Sequence, residues 1–204
     1  MSIENCALCG AVGNKRVFIG GVDVNTMLGR TERFVITPAL GPLVAGHVLV
    51  VSAEHKAGLR YLPVSDQQDY EQLRLQLRTY CMQFGDNLLE AEHGARDKSL
   101  RGPCIRHTHV HIFPGLEEAS RLFDNSFASL CIEERSLGVV DSYIRIDDGS
   151  RATLYDGSQV IGQEIRRTIG RYLRVDDWDW AVSPKPELIA RTIKYWSGIG
   201  RWLD

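Results

Sequence analysis

The sequence predicts an α+β fold, in which an antiparallel sheet of about five strands packs against one long helix and a helical extension follows at the C-terminal end. Residues 47–52 (HVLVVS) form a short β-branched apolar run, which is typical of a central strand. Residues 65–90 repeat apolar side chains at intervals of three and four, which indicates an amphipathic helix. In residues 107–112, histidines alternate with β-branched side chains, and this period of two indicates another strand.

The remaining strands are predicted from short apolar runs that end at turn residues. Residues 17–19 stop at a pair of glycines and residues 32–37 stop at a proline. Residues 139–146 form a further candidate strand, residues 147–150 (DDGS) a hairpin turn, and residues 152–155 the returning strand.

Three helices are predicted from capping residues and apolar spacing. The long helix should begin with Ser65 as its cap and run to about residue 90, with Gly94 as its C-terminal stop. Residues 159–173 place isoleucine or leucine at every fourth position, and residues 187–196 form a final amphipathic segment.

The composition is that of an ordinary globular protein. Its 204 residues are 44% hydrophobic and 25% charged, with a formal net charge of −2, and this length suits one domain or one domain with an extension. No window offers the roughly 20 unbroken apolar residues of a membrane span, and the N-terminus does not resemble a secretory signal. We therefore expect a cytoplasmic protein that does not bind membranes. The near-neutral charge argues against a dedicated nucleic-acid surface.

The histidine strand is the strongest chemical signal in the chain. Because side chains alternate faces along a strand, His107, His109 and His111 project from one side. Such a row is hard to attribute to packing, since buried imidazoles need partners and charged ones repel each other. Two mechanisms fit the row: the histidines bind a metal that activates water, or one neutral imidazole attacks a phosphoryl centre while its neighbours hold the oxygens.

Cys6 and Cys9 are separated by two residues and followed by a glycine, which makes half of a tetrahedral zinc site. A redox dithiol has the same spacing. Nothing around the pair resembles the βαβ context of redox proteins, and the pair alone does not decide between zinc and two unbonded thiols.

Residues 107–113 (HTHVHIF) resemble the H-x-H-x-H-x-x signature of the histidine-triad superfamily of nucleotide hydrolases and nucleotidyltransferases. Residues 46–51 with His55 resemble the strand-and-histidine segment that precedes the triad in that superfamily. Residues 92–94 (EHG), followed by Cys104, resemble a zinc-containing bacterial branch. The resemblance covers roughly residues 6–115.

The resemblance implies a role for each triad residue that remains free for chemistry. His109, the middle histidine, would attack the α-phosphorus of a nucleotide conjugate and form a covalent nucleotidyl-histidine, which water or another acceptor then releases. His111 would hydrogen-bond the phosphate or the bridging oxygen. Cys104 stands where relatives carry a phosphate-contacting serine, and a thiol is a weaker donor.

The resemblance also implies a ligand set for structural zinc. In similar proteins an N-terminal cysteine pair joins one upstream histidine and the first triad histidine, and the matching residues are Cys6, Cys9, His55 and His107. Four protein ligands leave no open position for water. His93 is an alternative to His55.

The organisation follows from these motifs. We expect residues 1–115 to form the catalytic domain with its N-terminal zinc knuckle, and residues 116–204 to form an extension, a strand hairpin and two helices, on the same core. Gln163 and Arg166 near a helix start could face a polyphosphate, although a solvated helix face explains them equally well. A homodimer is expected by family analogy alone.

Three function classes compete. The leading hypothesis is hydrolysis or transfer at the α-phosphate of a nucleotide conjugate through His109. The alternatives are a zinc-dependent hydrolase that uses the three triad histidines as metal ligands, and a non-catalytic nucleotide-binding module.

Overall fold

The computed structural model describes residues 6–96, 105–133 and 140–203. Its strands are β1 Phe18–Ile19, β2 Val22–Asp23, β3 Gly29–Arg30, β4 Phe34–Pro38, β5 Val48–Ser52, β6 Leu88–Ala95, β7 His109–Pro114, β8 Cys131–Ile132, β9 Ser142–Asp147 and β10 Ala152–Asp156. Its α-helices are α1 Ala7–Val12, α2 Val64–Met82, α3 Ser120–Phe127, α4 Glu164–Leu173 and α5 Pro186–Tyr195. Short 3₁₀ turns occupy Leu59–Tyr61, Glu117–Ala119, Ala128–Leu130 and Ile199–Trp202.

One large antiparallel sheet, with strands of different lengths, forms the centre of the molecule. Eight strands follow the order β3-β4-β5-β7-β6-β9-β10-β8, all neighbours are antiparallel, and β1 and β2 form a separate hairpin. The predicted α+β class is confirmed, but the prediction of about five strands was too low. The sheet contains β3, β6 and β8, which were not predicted, and the predicted strands β9 and β10 extend it because β9 pairs with the free side of the long strand β6. The extension is therefore part of the sheet as well as helical.

The long helix is shorter than predicted. It begins at Val64 with Pro63 in the cap position, so Ser65 lies inside the first turn and its hydroxyl bonds to Asp66 instead of capping. The helix ends at Met82, and the chain turns at Gly85, whose φ of +79° is left-handed. The predicted cap at Ser65 and the predicted end near residue 90 are both wrong.

Residues 88–95 form strand β6, and both of its faces are buried. Because both faces are buried, the sequence lacks the alternation of apolar and polar residues that would have indicated a strand. Glu90 is fully buried and accepts a hydrogen bond from the Tyr70 hydroxyl at 2.9 Å. Arg74 and Arg78, one turn apart on α2, pair with Glu90 and with Asp147 of β9. These buried ion pairs fix α2 across the sheet.

The two faces of the sheet carry different layers. The face toward α2 forms one hydrophobic cluster, which includes Phe34, Ile36, Val48, Val50, Val110, Ile112, Tyr70, Leu73 and Leu77. On the opposite face, α3 and α4 cover one cluster and α1 covers a smaller one. A cleft lies between α1 and the start of α4 on this second face.

The C-terminal helix α5 holds the turn that leads into β5. The indole of Trp196 donates to the Gly46 carbonyl at 2.8 Å, and the Gly46 amide donates to the Thr192 hydroxyl at 3.0 Å. Gly46 has a φ of +90°, so a residue with a side chain would be strained there. Within the described residues, no helix is long and apolar enough to cross a membrane. The division into residues 1–115 and 116–204 stays a prediction.

Candidate active site and metal centre

The triad histidines share one face of the sheet but not one environment. His109 and His111 lie in β7, and His107 precedes the strand. His111 pairs with Leu49 of β5, and Leu49 pairs with Thr37 of β4, so these three side chains form a row across the sheet. On this face His107 belongs to a cluster with metal-site spacing, whereas His109 and His111 line a cleft.

His107 turns toward the cysteine knuckle. Potential ligand atoms of Cys6, Cys9, His55 and His107 all lie within 4.8 Å of one another. The Cys9 sulfur is 3.1 Å from His55 Nδ1 and 3.4 Å from His107 Nδ1, and the Cys6 sulfur is 3.6 Å from His107 Nδ1. A tetrahedral zinc places neighbouring sulfur and nitrogen ligands about 3.6 Å apart, given its usual bond lengths. The donor set and its spacing therefore fit zinc.

The second nitrogen of His107 supports this assignment. Its Nε2 lies 2.8 Å from the Ser52 carbonyl oxygen, which can only accept, so Nε2 carries the proton. Nδ1 then presents its lone pair to the cysteines, as a metal ligand must. Burial raises the pKa of the Cys9 thiol to about 11, and a bound zinc ion would offset that burial by stabilising the thiolate.

His93, the alternative fourth ligand, is not part of this cluster. It lies in β6, and its Nε2 is 2.9 Å from the Ser142 hydroxyl. The side chain lines the cleft with His109 instead. Burial is the main reason that the pKa of His93 falls to about 4.

His109 is oriented by the backbone of the first triad residue. Its Nδ1 lies 2.6 Å from the His107 carbonyl oxygen, so Nδ1 must donate and Nε2 holds the lone pair. Burial lowers the pKa of His109, which keeps the imidazole neutral at physiological pH. A neutral imidazole with a free Nε2 lone pair is competent as a nucleophile.

His111 has the opposite proton arrangement, which a hydrogen-bond chain through His47 imposes. The Leu43 amide donates to His47 Nδ1 at 3.2 Å, so His47 carries its proton on Nε2. That Nε2 lies 2.9 Å from His111 Nδ1, which must accept, and the proton of His111 is left on Nε2. The pKa of His111 lies well below its ordinary value, mainly because the ring is buried and also because His109 and the Arg166 cation are nearby. His111 is therefore a neutral donor.

The cleft brings most of the predicted binding residues together. His109, His111, Gln163 and Arg166 all line it. The buried Arg166 guanidinium donates from Nε to the Trp178 carbonyl at 2.8 Å and from a terminal nitrogen to the Gly41 carbonyl. Burial lowers the pKa of Arg166 to about 10, so it stays cationic at neutral pH. Cys104 lies outside the described residues.

The predicted helix containing Gln163 starts later than expected. Residues 159–162 are not helical, and Gln163 occupies the cap position of α4 with a left-handed φ of +67°. Its amide nitrogen donates to Asp179 at 3.2 Å. The two predicted binding residues therefore enter the cleft from the first turn of α4.

Sequence reasoning missed the part that His47 plays. His47 is fully buried at the entry to β5, its Nε2 lies against His111, and its ring centroid is 4.1 Å from that of Phe113. The available signal was the period of two, because His47, Leu49 and Val51 share a face and β5 neighbours β7. No local pattern reveals that two histidines 64 positions apart meet.

The directions of the three imidazoles bear on the alternative in which all three triad histidines bind one catalytic metal ion. Each triad imidazole points its Nδ1 at a different partner: the cysteines, a backbone carbonyl, or His47. Among the described residues, the cluster of Cys6, Cys9, His55 and His107 is the one group of three or more side chains with metal-site spacing.

Comparison with known proteins finds likeness in structure but not in sequence. No protein-family model and no curated protein sequence matches the chain. A HIT family hydrolase from Clostridium thermocellum is 19% identical, with a TM-score of 0.40 over 56% of this chain and 93% of that one. A zinc-bound histidine-triad family protein from Mycobacterium smegmatis is 18% identical, with a TM-score of 0.42 over 55% and 76%.

A hypothetical protein from Leishmania major matches more of the chain. It is 16% identical, with a TM-score of 0.45 over 85% of this chain and 96% of that one.

Proposed function

We propose that this protein is a histidine-triad-type nucleotide hydrolase or nucleotidyltransferase that acts at the α-phosphate of a nucleotide conjugate. The single observation that carries the proposal is the complementary protonation of two neighbouring imidazoles in one cleft. His109 offers a lone pair on Nε2, and His111 offers a proton on Nε2. In-line displacement at phosphorus needs one nucleophile and one donor to the oxygens.

The mechanism has two displacements. Nε2 of His109 attacks the α-phosphorus, the bond from phosphorus to the leaving group breaks, and a nucleotidyl-histidine forms. The Nε2–H of His111 hydrogen-bonds the phosphate or bridging oxygen as charge develops there. Water or a second acceptor then attacks the same phosphorus and releases the nucleotide. Two inversions retain the configuration at phosphorus.

The charged and thiol groups of the cleft take supporting roles in this proposal. Arg166 supplies a buried cation close to His111, which suits a phosphate group. Gln163 contacts the bound nucleotide, and Cys104 is a weaker phosphate contact. Residues 116–204 therefore contribute to the substrate site of a catalytic unit formed by residues 1–115.

Structural zinc is the implied cofactor. Cys6, Cys9, His55 and His107 would hold it with no open position, so zinc would pin the knuckle to the active strand and take no part in the chemistry. This leaves His109 and His111 free. A homodimer remains a prediction by family analogy, which light scattering checks directly.

Steady-state turnover separates this proposal from its alternatives. Diadenosine tetraphosphate, adenosine phosphoramidate and an acyl adenylate represent the candidate substrate classes. We expect turnover of at least one by the wild type, loss of about 10⁴-fold or more in His109→Ala, and little effect of brief chelation. Loss of turnover on brief chelation, reversed by zinc, would instead favour a catalytic metal. Nucleotide binding without turnover of any of the three would favour a non-catalytic module.

A further inference from the structure

We infer that the Thr37 hydroxyl and the Gln163 amide oxygen form a specificity subsite, which receives a hydrogen-bond donor from the nucleoside part of the substrate. This inference rests on the proposed function and extends it from the phosphate to the nucleoside. It is carried by two polar atoms that are buried in the cleft and lack a partner among the described residues.

Thr37 lies on the floor of the cleft. Its side chain is only 2% exposed, and its Oγ1 has no hydrogen-bond partner in the parts of the chain that the structure describes. A buried hydroxyl without a partner is rare and costly in native proteins. The rest of the row, Leu49 and His111, lies on the two neighbouring strands. Two strand spacings place Thr37 about 10 Å from His111, which is the distance scale from an α-phosphate to a nucleobase.

Gln163 lines the same cleft from the start of α4. Its amide nitrogen donates to the Asp179 carboxylate at 3.2 Å, and because a carboxylate can only accept, the orientation of the amide is fixed. The oxygen Oε1 is therefore the atom left over, and it is buried and unpartnered among the described residues. An amide oxygen repels phosphate oxygens and needs an N–H or O–H donor.

Most of the remaining cleft lining is apolar. It includes Leu8 and Ala11 of α1, Leu49 of β5, Ile105 and Trp180. Such walls suit the flat faces of a base, while a few buried polar atoms fix its orientation. Arg166 lies near His111, so the cleft offers a cation for phosphate as well as the two hydrogen-bond acceptors.

Two kinds of donor fit this chemistry, an N–H of the base or a hydroxyl of the ribose. The test therefore begins with calorimetric dissociation constants of AMP, GMP, CMP and UMP for the wild type. The tightest ligand is then compared with its 2′,3′-dideoxy form and with a form whose base donors are deleted or methylated. The variants are Gln163→Met and Thr37→Val, which keep the approximate shape of each side chain.

A matched control lies on α4. Thr168 is also buried, with 1% exposure, and its Oγ1 likewise has no partner in the described chain, but it does not line the cleft. We expect Thr37→Val and Thr168→Val both to keep or raise the melting temperature, since each removes an unpaired buried hydroxyl. Only Thr37→Val should weaken nucleotide binding, by about tenfold.

Gln163→Met should also lose about tenfold in affinity for the natural nucleotide and almost nothing for the analogue that lacks the recognised donor. That analogue identifies the donor as base or ribose. Three results would each overturn the inference and leave the proposed function standing. Gln163→Met could lose equal affinity for the natural nucleotide and both analogues, or Thr37→Val alone could have a lower melting temperature. Thr37→Val and Thr168→Val could also bind the nucleotide with equal affinity. Wild-type protein that binds none of the four nucleotides would overturn both.

Discussion

The hydrogen-bond chain from Leu43 through His47 to His111 gives the sharpest prediction. Gln and Asn each reproduce one ring nitrogen of histidine. The Gln amide nitrogen reaches the position of Nε2, and the Asn amide oxygen reaches the position of Nδ1. His47→Gln should therefore keep the donor to His111, while His47→Asn keeps only the acceptor for the Leu43 amide. Only the Asn variant frees the proton of His111 to move to Nδ1.

The magnitudes follow from these contacts. Each variant breaks one buried hydrogen bond of the chain, so both should lose about 1–3 kcal/mol of unfolding free energy. With its proton on Nδ1, His111 would present a lone pair to the phosphate oxygens and stop acting as a donor. Loss of one such donor costs about 10²–10³ in kcat. We expect that loss for His47→Asn and less than about tenfold for His47→Gln.

The assay combines kcat on the best nucleotide conjugate with chemical denaturation and ¹⁵N NMR of the His111 ring. A changed tautomer in His47→Asn with an unchanged one in His47→Gln would explain the difference in kcat. The reasoning is refuted if both variants lose kcat equally at equal stability, or if His111 keeps its proton on Nε2 in the Asn variant.

Three further predictions concern metal, stability and pH. Cys6→Ser should lower zinc content, measured by mass spectrometry of purified protein, from near one equivalent to well below it. Glu90→Gln should cost about 3–5 kcal/mol of unfolding free energy, because it removes a fully buried carboxylate from the half-buried Arg74 and Arg78 and leaves them with fewer negative charges. Burial holds the pKa of His47 well below its ordinary value, so the unfolded chain binds the extra proton and stability falls as pH drops below about 6.5. His47→Gln should flatten that fall, by about 1.4 kcal/mol per pH unit between pH 6 and 5.

The metal and stability predictions each have a matched control. Cys131→Ser alters an exposed cysteine outside the metal cluster and should leave zinc content unchanged. Glu118→Gln removes the exposed pair with Arg121 and should change the unfolding free energy by less than about 0.5 kcal/mol. Unchanged zinc in Cys6→Ser, equal effects of the two glutamate variants, or equal pH slopes for wild type and His47→Gln would contradict the corresponding statement.

The motifs could be predicted from sequence because their geometry is local. A period of two places His107, His109 and His111 on one face of any strand, and a two-residue spacing brings Cys6 and Cys9 together in any tight turn. The meeting of these two motifs needed the family resemblance, since about a hundred residues separate them.

What the sequence did not reveal depends on partners distant along the chain. Strand β6 was taken for the end of a helix because Glu90 and Glu92, charged in sequence, are buried against α2 arginines and the Tyr143 hydroxyl. The eight-stranded sheet requires β9 to find β6, which no local pattern encodes. The link from His47 to His111 and the unpaired Thr37 hydroxyl emerge only once β4, β5 and β7 are aligned.

The central claim is a covalent nucleotide on His109. Wild-type protein is mixed with adenosine phosphoramidate or diadenosine tetraphosphate and denatured within milliseconds without acid. The mass of the intact protein is then measured by mass spectrometry. The account predicts a mass increase of one adenylyl group that maps to His109 and is absent from His109→Ala. Rapid turnover by the wild type with no adduct at any time, or an adduct that persists in His109→Ala, would contradict it.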